Sequence, residues 1–171
     1  MTTNLKLFLV SCLPLLAVTS YAEDFEWAHF GLRAGVDAES DVSINSYELF
    51  AVLESPWEWA VSEAIEIELG FEFGLGALDG EGETSLFGHA GPMLEIEFGD
   101  FPLELIISSG PALLSEHQFD HLDLGGSFQF VSAIGFDLEV VDDWILGYRF
   151  HHISNKGLYD RNPGLDLHSL S

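Results

Sequence analysis

The stretch from Glu63 to Gly76, EAIEIELGFEFGLG, alternates with a period of two. Ile65, Ile67, Leu69, Phe71, Phe73 and Leu75 occupy one parity. Glu66, Glu68, Gly70, Glu72, Gly74 and Gly76 occupy the other. Successive side chains of a strand point to opposite faces, so this segment is a strand with one wholly apolar face and one acidic, small face. The pattern returns at Gly126 to Val140, where Phe128, Phe130, Ile134, Phe136 and Leu138 oppose Gln129, Gly135, Asp137 and Glu139. Weaker versions fall at Phe30–Asp37, Tyr47–Leu53, Leu86–Phe98, Phe101–Gly110, Trp144–Asn155 and Leu165–Leu170. The downstream chain has no long segment of helical period, so the reading is all-β with eight strands.

Eight such strands fit either a soluble sandwich, with the apolar face buried between sheets, or a transmembrane barrel, with that face turned to lipid. The acidic parity decides between them. Carboxylates repeated along one face cannot sit in a dry sandwich core but can line a barrel interior. The connections also alternate. Tight links at Gly99-Asp100 and Val141–Asp143 contrast with longer ones at Glu39–Asn45, Ala77–Glu83, Pro111–Gly125 and Lys156–Gly164. Short periplasmic turns and longer outer loops are the outer-membrane pattern. The expectation is an eight-stranded antiparallel outer-membrane β-barrel. Phe71, Phe73, Phe128, Phe130, Phe136 and Tyr148 should face outward; Glu66, Glu68, Glu72 and Arg149 should face inward. Arg33 and Arg149 are expected to pair with luminal carboxylates, and His151 with an acidic neighbour.

The N-terminus agrees. Lys6, an apolar run from Leu7 to Val18 and the small-x-small site Ser20-Tyr21-Ala22 read as a secretory signal peptide over residues 1–22. The barrel domain would then be 23–171. Cys12, the single cysteine, falls in the leader, so no disulfide is expected. With 29 acidic residues against 5 Lys and Arg, the formal net charge is −24. Phosphate backbones would be repelled, which excludes nucleic acid as a partner.

One segment departs from the acidic and apolar monotony: His152-Ile153-Ser154-Asn155-Lys156, followed by Arg161-Asn162-Pro163-Gly164-Leu165-Asp166. By parity, His152 and Ser154 continue the lipid-facing set Trp144, Leu146, Tyr148 and Phe150. Ser154 is a candidate nucleophile and His152 its base, with Asp166 returning beside them on the last strand to orient the imidazole. Asn155 and Asn162 are candidate oxyanion donors or supports. Lys156 and Arg161 border the pair and are candidates for contact with substrate phosphates. His117 and His121, four residues apart in a loop, carry a weak metal signal.

The run from His152 to Asp166 resembles the lipid A 3-O-deacylase (PagL) family of outer-membrane eight-stranded barrels. The family pattern is His-x-Ser-Asn, a glycine, then Asn-x-Gly-x-Glu. His152, Ser154, Asn155, Gly157, Asn162 and Gly164 match it, and Asp166 stands where the family has Glu. Gly125–Phe130, GGSFQF, is similar to the family's sixth strand. The resemblance implies an esterase that removes an acyl chain from lipid A at the 3-O position. Ser154 would be the nucleophile, His152 the base, Asp166 the orienting acid, and Asn155, Asn162 and Gly164 the surrounding support. No cofactor or metal is implied. The implied partners are lipopolysaccharide and outer-membrane lipids, with a homodimer left open. The competing reading is a non-catalytic structural or adhesive barrel.

Overall fold

The computed structural model describes residues 25–38, 42–141 and 144–171; the expected signal peptide lies outside them. Eight strands form one closed antiparallel barrel: β1 (Glu26–Asp37), β2 (Ile44–Ser62), β3 (Ile65–Gly80), β4 (Glu83–Phe98), β5 (Phe101–Leu114), β8 (Phe128–Val141), β9 (Trp144–Ser154) and β10 (Leu165–Leu170). A two-stranded ribbon, β6 (Gln118–Phe119) and β7 (Leu122–Asp123), is inserted between β5 and β8. Barrel strands consecutive along the chain are neighbours in space. Pairing of β1 with β10 closes the ring, through Ala34 opposite Leu170 and Val36 opposite His168. The β1–β10 seam is paired over Ala34–Asp37, and pairing strands into a ring is how a sheet spans a bilayer.

The apolar parity lies outside. Phe30 is 70% exposed and Trp144 73% exposed, and Leu32, Leu49, Leu75, Leu113, Phe73, Phe136 and Ile134 share that surface. Phe128 packs edge-on against Phe130, and Phe136 against Tyr148, on the same exterior. A continuous apolar exterior over a closed barrel is a lipid-facing surface.

The interior is layered. At the loop end it is apolar: Ile44, Leu78, Phe87, Leu114, Val131, Ile153 and Leu167 pack beneath Phe119 of the β6–β7 ribbon, which caps the barrel like a stopper. The sequence reading expected the polar parity to line the lumen. The difference arises because β2, β4 and β5 carry large apolar residues on their inward parity near the loops. Below this plug lies a polar layer. Arg33 donates to Glu72 (2.9 Å) and Glu48 (3.3 Å), Glu48 bonds His89 (2.7 Å), and Arg149 holds Asp137 through two contacts of 2.7 Å. Thus Arg33 and Arg149 both pair with luminal carboxylates as expected, Arg149 with Asp137. His151 meets Arg33 (3.4 Å) and Ser169 (3.3 Å), not a carboxylate. Room for this layer comes from small residues: a Cβ on Gly74 would lie 2.0 Å from Glu48 Oε1 and 2.2 Å from His89 Nε2.

One connection differs from the sequence reading. Ala77–Glu83 is not a long loop. The ladder between β3 and β4 continues to Gly80 opposite Glu83, and only Glu81 (φ 53°) and Gly82 (φ 86°) form the turn. Two successive left-handed residues match the twist of a tight hairpin. Among the described residues, the loop end is dominated by the ribbon-bearing β5–β8 connection and the β9–β10 loop.

Candidate active site

Strand β9 ends at the loop end of the barrel, and its outward parity carries Tyr148, Phe150, His152 and Ser154. His152 is the direct register partner of Asp166 on β10. Opposed residues on one face place their side chains together. Here the imidazole Nδ1 lies 2.6 Å from Asp166 Oδ1. An ionised carboxylate only accepts, so Nδ1 carries the proton and donates, leaving Nε2 as the basic nitrogen. The pair sits on the lipid-facing wall, the imidazole half exposed and the carboxylate less so.

Ser154 stands two residues on, at the tip of β9 opposite Phe130, and is 7% exposed. The same parity puts it on the His152 face. Beside it, Lys156 turns back with a left-handed φ of 52° and sets its Nζ 4.4 Å above the Phe130 ring. A cation over an aromatic face is held by the ring quadrupole.

The β9–β10 loop is organised by Asn155, which is fully buried. Its Nδ2 donates to Arg161 O (2.6 Å) and Leu124 O (2.8 Å). Its Oδ1 accepts from Gly157 N (2.9 Å), and its own N–H donates to Asn162 Oδ1 (3.0 Å). One side chain thus ties the β9–β10 loop to itself and to the β5–β8 connection. Asn155 is committed to this network, and Asn162 to holding the Asn155 amide, so both act on the shape of the loop. Gly164 (φ 78°) brings backbone against the imidazole; a Cβ there would lie 3.1 Å from His152 Cε1. A side chain at this position would be strained by the dihedral and crowd the ring.

Arg161 points to Asp123 (3.3 Å) and remains largely exposed. Asp123 also accepts from Gly125 N (2.9 Å) and His117 (3.1 Å). These hydrogen bonds, the Gly125 amide foremost, hold its carboxyl below the usual carboxylate range. His121 bonds Asp120 instead (2.7 Å), so His117 and His121 serve different carboxylates and do not converge as metal ligands.

Two residues beside the site were not singled out in the sequence. Ser132 on β8 is the register partner of His152, and its Oγ lies 2.9 Å from Ser109 Oγ on β5. Asp166, His152, Ser132 and Ser109 form a polar row across four strands of an apolar wall. The signal was available: Ser132 occupies the outward parity of β8, between Phe130 and Ile134.

A closed barrel with an apolar exterior and a His–Asp pair on that exterior defines a membrane-barrel protein with hydrolase-type side chains facing lipid. A family model described as lipid A 3-O-deacylase (PagL) matches residues 45–171. The chain belongs to that family. The lipid A deacylase PagL of Bordetella bronchiseptica is 34% identical over 62 residues, which are 36% of this chain and 35% of that protein. The match therefore spans about a third of the curated relative's length. The fold is similar to that in the crystal structure of the outer membrane enzyme PagL, with a TM-score of 0.69 over 83% of this chain and 96% of that one at 23% identity. At that identity the likeness is one of fold.

Proposed function

We propose that this chain is an outer-membrane esterase that hydrolyses an ester-linked acyl chain of lipid A, at the 3-O position. The observation that carries the reading is the 2.6 Å His152–Asp166 hydrogen bond on the lipid-facing wall. A barrel exposes a charge-coupled imidazole to lipid at a cost, and a lipid ester is the substrate that such a position can serve. Family membership supports the substrate class.

In this mechanism Ser154 Oγ attacks the ester carbonyl while His152 Nε2 takes the hydroxyl proton. Asp166 keeps the imidazole in the Nδ1–H tautomer and stabilises the imidazolium. The tetrahedral intermediate collapses, the C–O bond to the sugar breaks, and His152 returns its proton to the sugar alkoxide. Water, deprotonated by the same imidazole, then cleaves the acyl-serine ester, releasing the fatty acid and regenerating Ser154. In this reading Asn162 Nδ2 donates to the oxyanion, a role supported by its Oδ1 being engaged by Asn155 N, which leaves the amide nitrogen as its donor. Asn155 and Gly164 support the loop. Lys156 and Arg161 meet the phosphates of the substrate at the headgroup border.

The test is mass spectrometry of lipid A from cells that express the chain. Loss of one acyl chain is expected with wild type and absent with Ser154→Ala at equal barrel abundance. Unmodified lipid A in both, with folded protein in the membrane, removes the reading in favour of a non-catalytic barrel.

A further inference from the structure

The wall that carries His152 is crossed by one polar line. Outward residues of β5, β8 and β9 fall into cross-strand rows. Pro111, Phe130 and Ser154 form the row nearest the loops. Ile107, Ile134 and Phe150 form an apolar row two residues further down the strands. Between these runs the row Ser109, Ser132 and His152, which Asp166 extends onto β10. Ser109 and Ser132 have no part in the proton transfer. They also differ from their neighbours. Apolar side chains suit a lipid-facing surface, whereas a hydroxyl placed there needs a partner.

Two observations point to what the serines meet. The first is the direction of the imidazole. Its Nδ1 is turned to Asp166 on β10, at 2.6 Å. The two ring nitrogens point in nearly opposite directions, so Nε2 is turned away from β10, and β8 is the strand on that side. Ser132 is the β8 residue in register with His152. Groups attached to an ester that reacts at Nε2 therefore lie over Ser132, and beyond it over Ser109. Strand spacing puts these serines about 5 and 10 Å from His152. The second observation is hydrogen-bond capacity. The two Oγ atoms lie 2.9 Å apart and are each other's only hydrogen-bond partners among the described residues. A serine hydroxyl has one donor and two acceptor sites. One hydroxyl donates to the other, which leaves one O–H and several lone pairs unspent. Ser109 is exposed and Ser132 half-buried, so this capacity is open to a bound molecule.

We propose that Ser132 and Ser109 are specificity-determining residues that bind the polar group next to the scissile ester, an amide or a hydroxyl on the acylated sugar. This inference rests on the esterase reading and deepens it. Either group both donates and accepts, as the serine pair does. With that group fixed over β8 and β5, the ester is held within reach of Ser154 and His152. The acyl chains then lie along the apolar side chains of the flanking rows. A simple fatty ester has no such group and gains nothing from the pair. The group bonded to the serines does not itself react, so the contact is equal in bound substrate and transition state. Its loss therefore reads in KM.

The experiment uses the full barrel refolded in detergent, its fold checked by circular dichroism. Ser132→Val removes the hydroxyl, and Ser132→Thr keeps it on the same branched frame. Both residues suit a lipid-facing strand, so both variants should fold. On lipid A, Ser132→Val should raise KM about 10-fold with kcat within about 3-fold of wild type. Ser132→Thr should stay within about 3-fold of wild type in both, and Ser109→Ala should raise KM less than Ser132→Val does. Three synthetic 3-O-decanoyl pyranosides, with acetamido, hydroxyl or hydrogen at C2, identify the group. Wild type should use the acetamido or the hydroxyl sugar about 10-fold better than the 2-deoxy sugar, and Ser132→Val should lose that preference. Unchanged KM on lipid A for Ser132→Val overturns the proposal and leaves the serines bonded only to each other. Ser132→Thr as impaired as Ser132→Val overturns it too, since shape would then be the cause. So does a fall confined to kcat, which would assign Ser132 to His152, and so does equal use of the three sugars by wild type. A folded wild type that leaves lipid A intact removes the esterase reading itself, before any serine variant is compared.

Discussion

His152 and Asp166 are direct partners across the β9–β10 ladder, and their side chains meet at 2.6 Å on the outside of the barrel. This one register position joins two strands through an imidazole–carboxylate pair. If the pair serves Ser154, then Ser154→Ala and His152→Ala should each reduce deacylation by about 10³-fold or more. The double variant should lose little beyond either single one, because the groups act as a unit. Single-turnover rates on purified lipid A with folded variants measure this; additive losses would separate the two residues.

Asp166→Asn keeps the size of the side chain but removes the charge that fixes the imidazole tautomer. It should cut kcat by about 10²-fold or more while leaving the barrel folded. Asp166→Glu keeps the charge and adds a methylene at a position where Asp already reaches Nδ1. Activity within about 10-fold of wild type is expected. The pair of variants, compared by kcat, tells charge from shape.

Asn155 connects two loops through four hydrogen bonds, three of them from its side chain. Asn155→Ala leaves the Arg161 carbonyl without its donor and Leu124 O with Gln129 Nε2 alone, at about 1–3 kcal/mol. We expect faster backbone hydrogen exchange in 155–164 and in 122–126, with activity falling as the loop loses its shape. Unchanged exchange in 122–126 would show that the two connections are independent.

Lys156→Gln/Arg161→Gln should raise KM on bisphosphorylated lipid A several-fold with a smaller change in kcat, since uniform binding is what these cations supply. On dephosphorylated substrate the difference between double variant and wild type should vanish. Equal kinetics on both substrates for both proteins would assign the two side chains to their observed partners, Phe130 and Asp123, alone.

Within the lumen, Glu72→Ala strips Arg33 of its closest carboxylate in a site where Glu72 is 2% exposed. Breaking one side of a buried pair costs about 3–5 kcal/mol. A clear drop in the unfolding midpoint of the refolded barrel is expected, whereas Glu83→Gln, exposed at the β3–β4 turn, should change it little.

Strand parity was legible from residue order alone, because period-two alternation is a local consequence of backbone geometry. It placed Phe73 and Phe136 outside and Glu72 and Arg149 inside, and it put His152 and Ser154 on the outer face. The motif from His152 to Asp166 marked the candidate site, and its resemblance to the family agrees with the family match. What the sequence could not carry was everything set by contact between distant strands. The apolar plug under Phe119 depends on a ribbon folding over inward residues of β2, β4 and β5. The choice of Asp137 for Arg149 depends on the stagger between β8 and β9, which parity leaves undetermined. Ser132 joined the site only because register sets it opposite His152, and Asn155 became a structural hub only because Leu124, from another connection, lies within reach of its amide. Parity is fixed by the chain itself, one residue after another. Partners are chosen by how the ring closes, and only the tertiary structure decides that.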